Sequence, residues 1–199
     1  MKKFIGVLAL FAMLFAFSGP CFATGDSAVG DVDFGVHIGT GSSNYSGSFD
    51  LLGGNIDSTF SEEHAYLGGV YLNFSGPDSC IELQPELNFI HDTFDLYNSG
   101  EVHEYDRLQL PVLLKVNSSE ICGTKVFAGV GPYGSVLLSD QKHIMRRYDY
   151  GYVLSAGVTI QDTVSFEIRH TQGLNDVSNV DGVSMRNSKD FFLVGLNFQ

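Results

Sequence analysis

Six charged residues lie at even spacing within three stretches of this sequence, and the chemistry open to them is that of buried ion pairs. They are Glu82 and Glu86, Arg107 and Lys115, and Glu167 and Arg169. Even spacing places both members of each group on one face of an extended strand. If these faces meet, the carboxylates and cations pair and fill a polar interior. A conducting path lined by the same charges is the alternative.

Three histidines lie in polar segments where other chemistry could arise. His91 and His103 flank a segment with Asp92, Glu101, Glu104 and Asp106, and His143 precedes Arg146 and Arg147. A structural or catalytic zinc site needs three or four converging ligands. The sequence has neither a His-x-x-x-His nor a Cys-x-x-Cys spacing. We therefore predict no metal site and no cofactor.

A lipid hydrolase or acyltransferase would need a nucleophile, a base and an orienting acid close together. The segment between His91 and His103 supplies these residue types through Ser99 and Glu101. Such residues occur by chance in any polar loop. We therefore predict that the protein is not an enzyme and has no catalytic residues.

One basic cluster stands out in an acidic chain and consists of Lys142, Arg146 and Arg147. Arginine makes strong charge-assisted hydrogen bonds to phosphate oxygens. We predict that this cluster contacts the phosphates of lipopolysaccharide. A loop that is merely solvated is the alternative.

The first 23 residues have the organisation of a secretory signal peptide. Lys2 and Lys3 precede an apolar run, and small residues lead up to Ala23, after which we expect cleavage. Residues 24–199 then form one domain. This part has 9 basic residues against 23 acidic ones, and such a balance excludes a nucleic-acid-binding protein, which needs a basic face. Its two cysteines, Cys80 and Cys122, could form a disulfide in the oxidising periplasm, with two unpaired thiols as the alternative.

The stretch from Tyr105 to Val116 shows most clearly how the chain must fold. Every second residue from Leu108 to Val116 is apolar, whereas the other row is mixed and contains Arg107, Pro111 and Lys115. A period of two predicts a strand. The length is about that needed to cross a bilayer at a tilt.

The same alternation predicts eight strands. They lie at about 31–42, 64–75, 80–91, 104–117, 123–138, 148–161, 163–172 and 189–199. Long polar loops are predicted at 43–62, 92–103, 139–147 and 173–188, whereas tight turns follow the second, fourth and sixth strands. Long loops at one end and short turns at the other are typical of an outer-membrane barrel with its turns in the periplasm.

We therefore predict an all-β protein, an eight-stranded antiparallel up-and-down transmembrane β-barrel. A secreted lipocalin-like barrel would show the same period with its apolar rows facing inward. The charged rows suit a polar interior, and aromatic residues such as Tyr66, Tyr150 and Phe198 lie near strand ends, where aromatic girdles belong. Side chains just fill the interior of an eight-stranded barrel, so we expect a plugged lumen.

Several short motifs follow one another along almost the whole of residues 24–199. They are Phe34–Gly39, Ile81–Leu87, Leu108–Lys115, Ala128–Tyr133, Asp149–Gly151, Ala156–Val158 and Phe166–His170. In these motifs the chain resembles the PorT-like outer-membrane β-barrel domain family of bacterial proteins. The resemblance implies an outer-membrane barrel, and it carries over no catalytic residues.

The predicted role is structural or surface-interacting, in the cell outer membrane, with long loops outside the cell. A narrow channel or porin for small solutes is the alternative, followed by a lipid-modifying barrel enzyme. The expected partners are outer-membrane lipids, including lipopolysaccharide, and the barrel-assembly machinery during insertion. Neither a ligand nor an oligomeric state follows from the sequence.

Overall fold

The computed structural model describes residues 31–51, 54–76, 80–95, 102–140, 146–176 and 183–198. The expected signal peptide (1–23) and Lys142 lie outside these ranges. The strands are β1 (Asp31–Leu51), β2 (Gly54–Ser75), β3 (Ile81–Asp95), β4 (Val102–Asn117), β5 (Thr124–Asp140), β6 (Tyr148–Ile160), β7 (Val164–Gly173) and β8 (Val183–Phe198).

The eight strands form one closed barrel in which each strand pairs with its neighbour in the sequence. The first and last strands close the barrel, antiparallel, from the pair Phe34 and Phe198 onward. Closure gives every strand a hydrogen-bonded partner on both sides, which is what a membrane interior requires because lipid offers no hydrogen bonds. The predicted fold class is therefore confirmed.

The apolar rows face outward. Ile38 is 71% exposed and Ile168 is 63% exposed, and both lie among other exposed aliphatic and aromatic side chains. Outside the barrel, the rings of Phe34 and Phe198 stack with centroids 5.8 Å apart, near the end where β1 begins and β8 ends. Apolar residues facing outward exclude the lipocalin-like alternative, because such a barrel would bury them. Among the described residues, no helix is long and apolar enough to span a membrane.

Four strands, β1, β2, β3 and β8, are clearly longer than the sequence predicts, and the predicted loop at 43–62 is wrong. β1 and β2 stay paired through this segment, with Ser43 opposite Glu63 and, after a register shift, Tyr45 opposite Phe60. The segment is rich in Ser, Gly and Asn and has no unbroken apolar row. A hairpin that lies outside the lipid does not need such a row to keep the hydrogen bonds between its strands. β3 and β8 likewise extend into the polar segments predicted to be loops at 92–103 and 173–188.

The short connections lie at the opposite end of the barrel. Gln161 and Asp162 make the turn between β6 and β7 with φ of 50° and 53°, and Cys122 and Gly123 make the turn after β4 with φ of 52° and 74°. In outer-membrane barrels, short turns of this kind face the periplasm. The end with the short turns is therefore named the periplasmic end, and the opposite end is named the outer end.

Candidate functional site: the charged lumen

A group of charged side chains occupies the middle of the lumen, where the inward rows of the strands converge. The Arg169 guanidinium donates from Nη1 and Nη2 to the two carboxylate oxygens of Glu86, at 2.6 and 2.9 Å. Its Nε donates to Glu167 Oε1 at 2.7 Å. Both Arg169 and Glu86 side chains are fully buried. We call Glu86, Glu167 and Arg169 the central cluster.

Amide side chains on β3 complete the hydrogen bonding of Glu86. Gln84 Nε2 donates to Glu86 Oε1 at 2.5 Å, and Asn88 Nδ2 donates to Glu86 Oε2 at 2.8 Å. These residues alternate along one strand, so all three amide and carboxylate groups point into the lumen. His37 lies across from them, with its Nε2 2.8 Å from Asn88 Oδ1. A buried carboxylate with this many donors is held in one position.

Lys115 joins the central cluster from β4. Its Nζ donates to Gln84 Oε1 at 2.9 Å and lies 3.8 Å from the centroid of the Phe127 ring. The lysine is thus held by an amide oxygen and an aromatic face, and no carboxylate among the described residues contacts it directly. Glu82 lies directly opposite Lys115 in the β3–β4 register.

A second group of charges lies nearer the outer end. Lys189 on β8 pairs with Asp92 on β3, and both side chains are buried. Arg107 Nη1 lies 3.9 Å from Asp149 Oδ2, and the Tyr133 hydroxyl donates to the same oxygen at 3.1 Å. We call Asp92, Arg107, Asp149 and Lys189 the outer cluster.

An apolar layer separates the two clusters. Ala65, Leu67, Ile90, Phe191 and Leu193 form one buried group, and Leu113, Tyr133 and Val153 form another. The order of the layers follows from the positions along β3. Ile90 lies between Asn88, which contacts the central cluster, and Asp92 of the outer cluster. A water-filled path along the lumen would have to cross this layer and both ion-pair clusters. The described side chains therefore fill the interior, as the width of an eight-stranded barrel allows.

The contacts of the described residues bring together part of the six charges singled out in the sequence. Glu86, Glu167 and Arg169 are in direct contact, and Lys115 is linked to them through Gln84. Arg107 belongs to the outer cluster, and Glu82 lines a cavity at the periplasmic end.

Sequence reasoning missed Asp92, Asp149 and Lys189 as members of a lumen network. Asp149 was recognisable as an inward residue of β6, because it lies in the same alternating row as Gly151 and Ser155. Asp92 was assigned to a loop, although it continues the inward row of β3. No group of three or more metal-ligating side chains occurs in the part of the chain that the structure describes.

The sequence left a disulfide and two unpaired thiols open, and the structure has the second arrangement. Cys80 and Cys122 are both exposed free thiols. The carbonyl oxygen of Cys80 accepts a hydrogen bond from the Asn117 amide at 2.7 Å, which fixes Cys80 beside the end of β4. Cys122 lies further on, in the tight turn between β4 and β5, with φ of 52°. The two residues therefore belong to separate connections at the periplasmic end.

Arg146 and Arg147 are exposed at the outer end, just before β6. The Arg147 guanidinium carbon lies 6.0 Å from the centroid of the Tyr148 ring. Tyr148 begins an outward row that continues with Tyr150 and Tyr152, all of them exposed. The two arginines thus adjoin the aromatic residues at the outer edge of the apolar wall.

Comparison with solved structures supports the same architecture. Neisserial surface protein A (NspA) matches with a TM-score of 0.50 and 12% identity, over 87% of this chain and 100% of that one. OprG from Pseudomonas aeruginosa matches with a TM-score of 0.48 and 12% identity, over 85% and 98%. The outer membrane enzyme PagL matches with a TM-score of 0.48 and 11% identity, over 77% and 97%. At 12% identity the match to NspA shows the fold alone, and the absence of enzymatic activity stays a prediction.

A search of curated proteins gave no match. A family model described as "Outer membrane protein beta-barrel domain" matches residues 22–179. This range covers most of the chain and seven of the eight strands, and it places the protein in the cell outer membrane. The chain therefore belongs to the outer membrane protein β-barrel domain family.

Proposed function

We propose that this protein is a structural or surface-interacting barrel of the outer membrane, and that its working surface is the outer end. The observation that carries this proposal is the filled lumen: two ion-pair clusters and an apolar layer leave no wide path for solutes. A barrel without a path acts through its ends and its lipid-facing wall. The finer assignment to PorT-like barrels rests on the motifs quoted above.

We infer that Arg146 and Arg147 bind lipopolysaccharide phosphates. Arginine binds phosphate through charge-assisted hydrogen bonds, which contribute about 1.5–3 kcal/mol each when they form. The neighbouring row of Tyr148, Tyr150 and Tyr152 supports this proposal, because aromatic girdles mark the level of the lipid headgroups. Lys142, which lies outside the described residues, would add a third cation to the same segment.

The test compares lipopolysaccharide binding by the wild-type barrel and by the double variant Arg146→Gln/Arg147→Gln. The matched control is Arg186→Gln, because Arg186 is also exposed and lies on the outer part of β8. We expect the double variant to bind lipopolysaccharide at least about tenfold more weakly than the wild type at low salt. The control should bind as the wild type does. Equal binding by all three proteins would refute the arginine contact.

A narrow channel is the second candidate, and the charges along the lumen are the observation that favours it. Lys115 lies close to the central cluster and contacts no described carboxylate directly, so it can exchange partners with Arg169. Planar-bilayer recording separates the two functions. We expect no step conductance from the wild-type barrel, since the apolar layer would have to open. Reproducible conductance steps would replace the structural role with a channel.

A further inference from the structure

A polar cavity opens at the periplasmic end of the lumen, below the central cluster. Its volume is about 600 Å³, which is within the usual range for small-molecule sites, about 300–1,000 Å³. Residues near the periplasmic ends of all eight strands line it, among them Asp33, Asn73, Glu82, Asn117, Lys125 and Asn197. The cavity lies at the opposite end of the barrel from the arginines, so this inference is independent of the proposed function.

The side chain of Asn73 gives the cavity an unused hydrogen-bond acceptor. Asn73 is only 9% exposed, and its Oδ1 has no hydrogen-bond partner. Buried polar atoms almost always have a partner. A ligand that enters the cavity with an N–H group could provide the missing donor to Oδ1.

Charges of both signs line the cavity. Asp33 and Glu82 lie on β1 and β3, and Asn73 lies directly opposite Asp33 in the β1–β2 register. Lys115 on β4 is the direct neighbour of Glu82 in the β3–β4 register, whereas Lys125 on β5 is already paired at the rim. An ammonium group is attracted to Asp33 and Glu82, and a carboxylate group is attracted to Lys115.

The two lysines differ in the contacts that their ammonium groups already make. Lys125 Nζ contacts both carboxylate oxygens of Asp162, at 2.8 and 2.9 Å, at the rim of the cavity. Lys115 uses one of its three N–H donors on Gln84, so it can donate to a ligand without losing that hydrogen bond. Lys115 is thus the cation available at the inner end of the cavity.

We propose that this cavity binds a small zwitterion that carries a primary ammonium group and a carboxylate group, of the class of short peptides. The ammonium group donates to Asn73 Oδ1 beside Asp33 and Glu82. The carboxylate group accepts from Lys115. The apolar layer and the central cluster close the cavity toward the outer end, so the ligand enters and leaves on the periplasmic side.

The dipeptide glycylglycine is the probe, and the wild-type barrel is refolded in detergent micelles. The measurement is an NMR titration that follows the side-chain amide signals of asparagine. We expect a saturable shift of the Asn73 signal. N-Acetylglycylglycine lacks the ammonium group, and glycylglycine amide lacks the carboxylate group. Each should therefore bind at least about tenfold more weakly than glycylglycine. No saturable shift with glycylglycine, or equal binding of the acetylated peptide, would overturn the proposal.

Two variants test the protein side, each first shown to be folded by its migration on an unheated gel. Asn73→Leu removes the acceptor and Glu82→Gln removes one carboxylate, and both should weaken glycylglycine binding about tenfold. Asn175→Leu, at the outer end, should leave binding unchanged. Because the peptide analogues are tested on the wild type, a variant that fails to fold does not leave the proposal untested. Unchanged binding by the folded Asn73→Leu variant would overturn the role of Asn73.

Discussion

The pair between Arg169 and Glu86 should be the most sensitive electrostatic contact in the barrel. Both side chains are fully buried, and Arg169 also contacts Glu167, which is only 7% exposed. Arg169→Met keeps a long side chain but leaves two carboxylates in the lumen without their cation. Removal of one partner from a buried ion pair costs about 3–5 kcal/mol, mostly because the remaining charge is uncompensated.

The magnitude can be checked against an exposed pair in the same molecule. Lys125 and Asp162 also approach to 2.8 Å, but their side chains are 33% and 38% exposed. Exposed pairs contribute about 0–1 kcal/mol, so Lys125→Met should cost little. The assay is urea unfolding of each variant in lipid vesicles, with the free energy of unfolding as the readout.

A double variant shows whether the loss arises from an unpaired charge. Glu86→Gln combined with Arg169→Met removes both charges of the closest pair and leaves only Glu167 uncompensated. It should therefore be more stable than Arg169→Met alone, and the coupling should be on the order of 0.5–3 kcal/mol. If Arg169→Met costs no more than Lys125→Met, the central cluster does not stabilise the barrel and the reasoning fails.

Three other predictions concern the wall, the lumen and the thiols. Ile168→Arg places a charge on the lipid face and should cost about 2–4 kcal/mol if the position is near the middle of the membrane; a vesicle unfolding midpoint equal to that of Ile168→Leu would contradict the outward row. Gly131→Ala should destabilise the barrel, because the added methyl group would overlap the backbone carbonyl oxygen of Val112 on β4, whereas the methyl group of Gly134→Ala meets no atom within 4 Å; equal melting temperatures of the two variants would show that β4 and β5 are not packed as described. Cys80 and Cys122 should both react with a thiol-alkylating reagent without prior reduction, and a mass that shows no alkylation until the protein is reduced would restore the disulfide.

Much of the fold was predictable because a membrane barrel imposes a strict local pattern. The row from Leu108 to Val116 is apolar because its side chains face lipid, and the alternate row is free to carry charges such as Arg107 and Lys115. The paired segments outside the lipid follow no such rule. For this reason the composition of residues 43–62 predicted a loop where β1 and β2 are paired in the structure.

The ion pairs were beyond the reach of the sequence because they connect distant strands. Arg169 and Glu86 are 83 residues apart, and Lys189 and Asp92 are 97 residues apart. Alternation shows that a side chain points into the lumen, but the partner depends on how the barrel closes and on the stagger of its strands. The assignment of Arg107 to Asp149 on β6, instead of to a glutamate on β3 or β7, is a consequence of that stagger.

The periplasmic cavity was missed for a related reason. Its residues come from the ends of all eight strands, and each looks like an ordinary polar residue beside a turn. Asn73, near the end of β2, is such a residue. Its unpaired Oδ1 is a property of the closed barrel and has no counterpart in the sequence.

The measurement that tests the closed membrane barrel most directly is gel migration of the protein from fractionated cells, with and without heating. Folded outer-membrane barrels resist detergent unfolding because every strand is hydrogen bonded on both sides. We expect the protein in the outer-membrane fraction, with an unheated band at a position different from that of the boiled sample. A protein found in the soluble periplasm, with identical migration before and after boiling, would contradict the barrel described here.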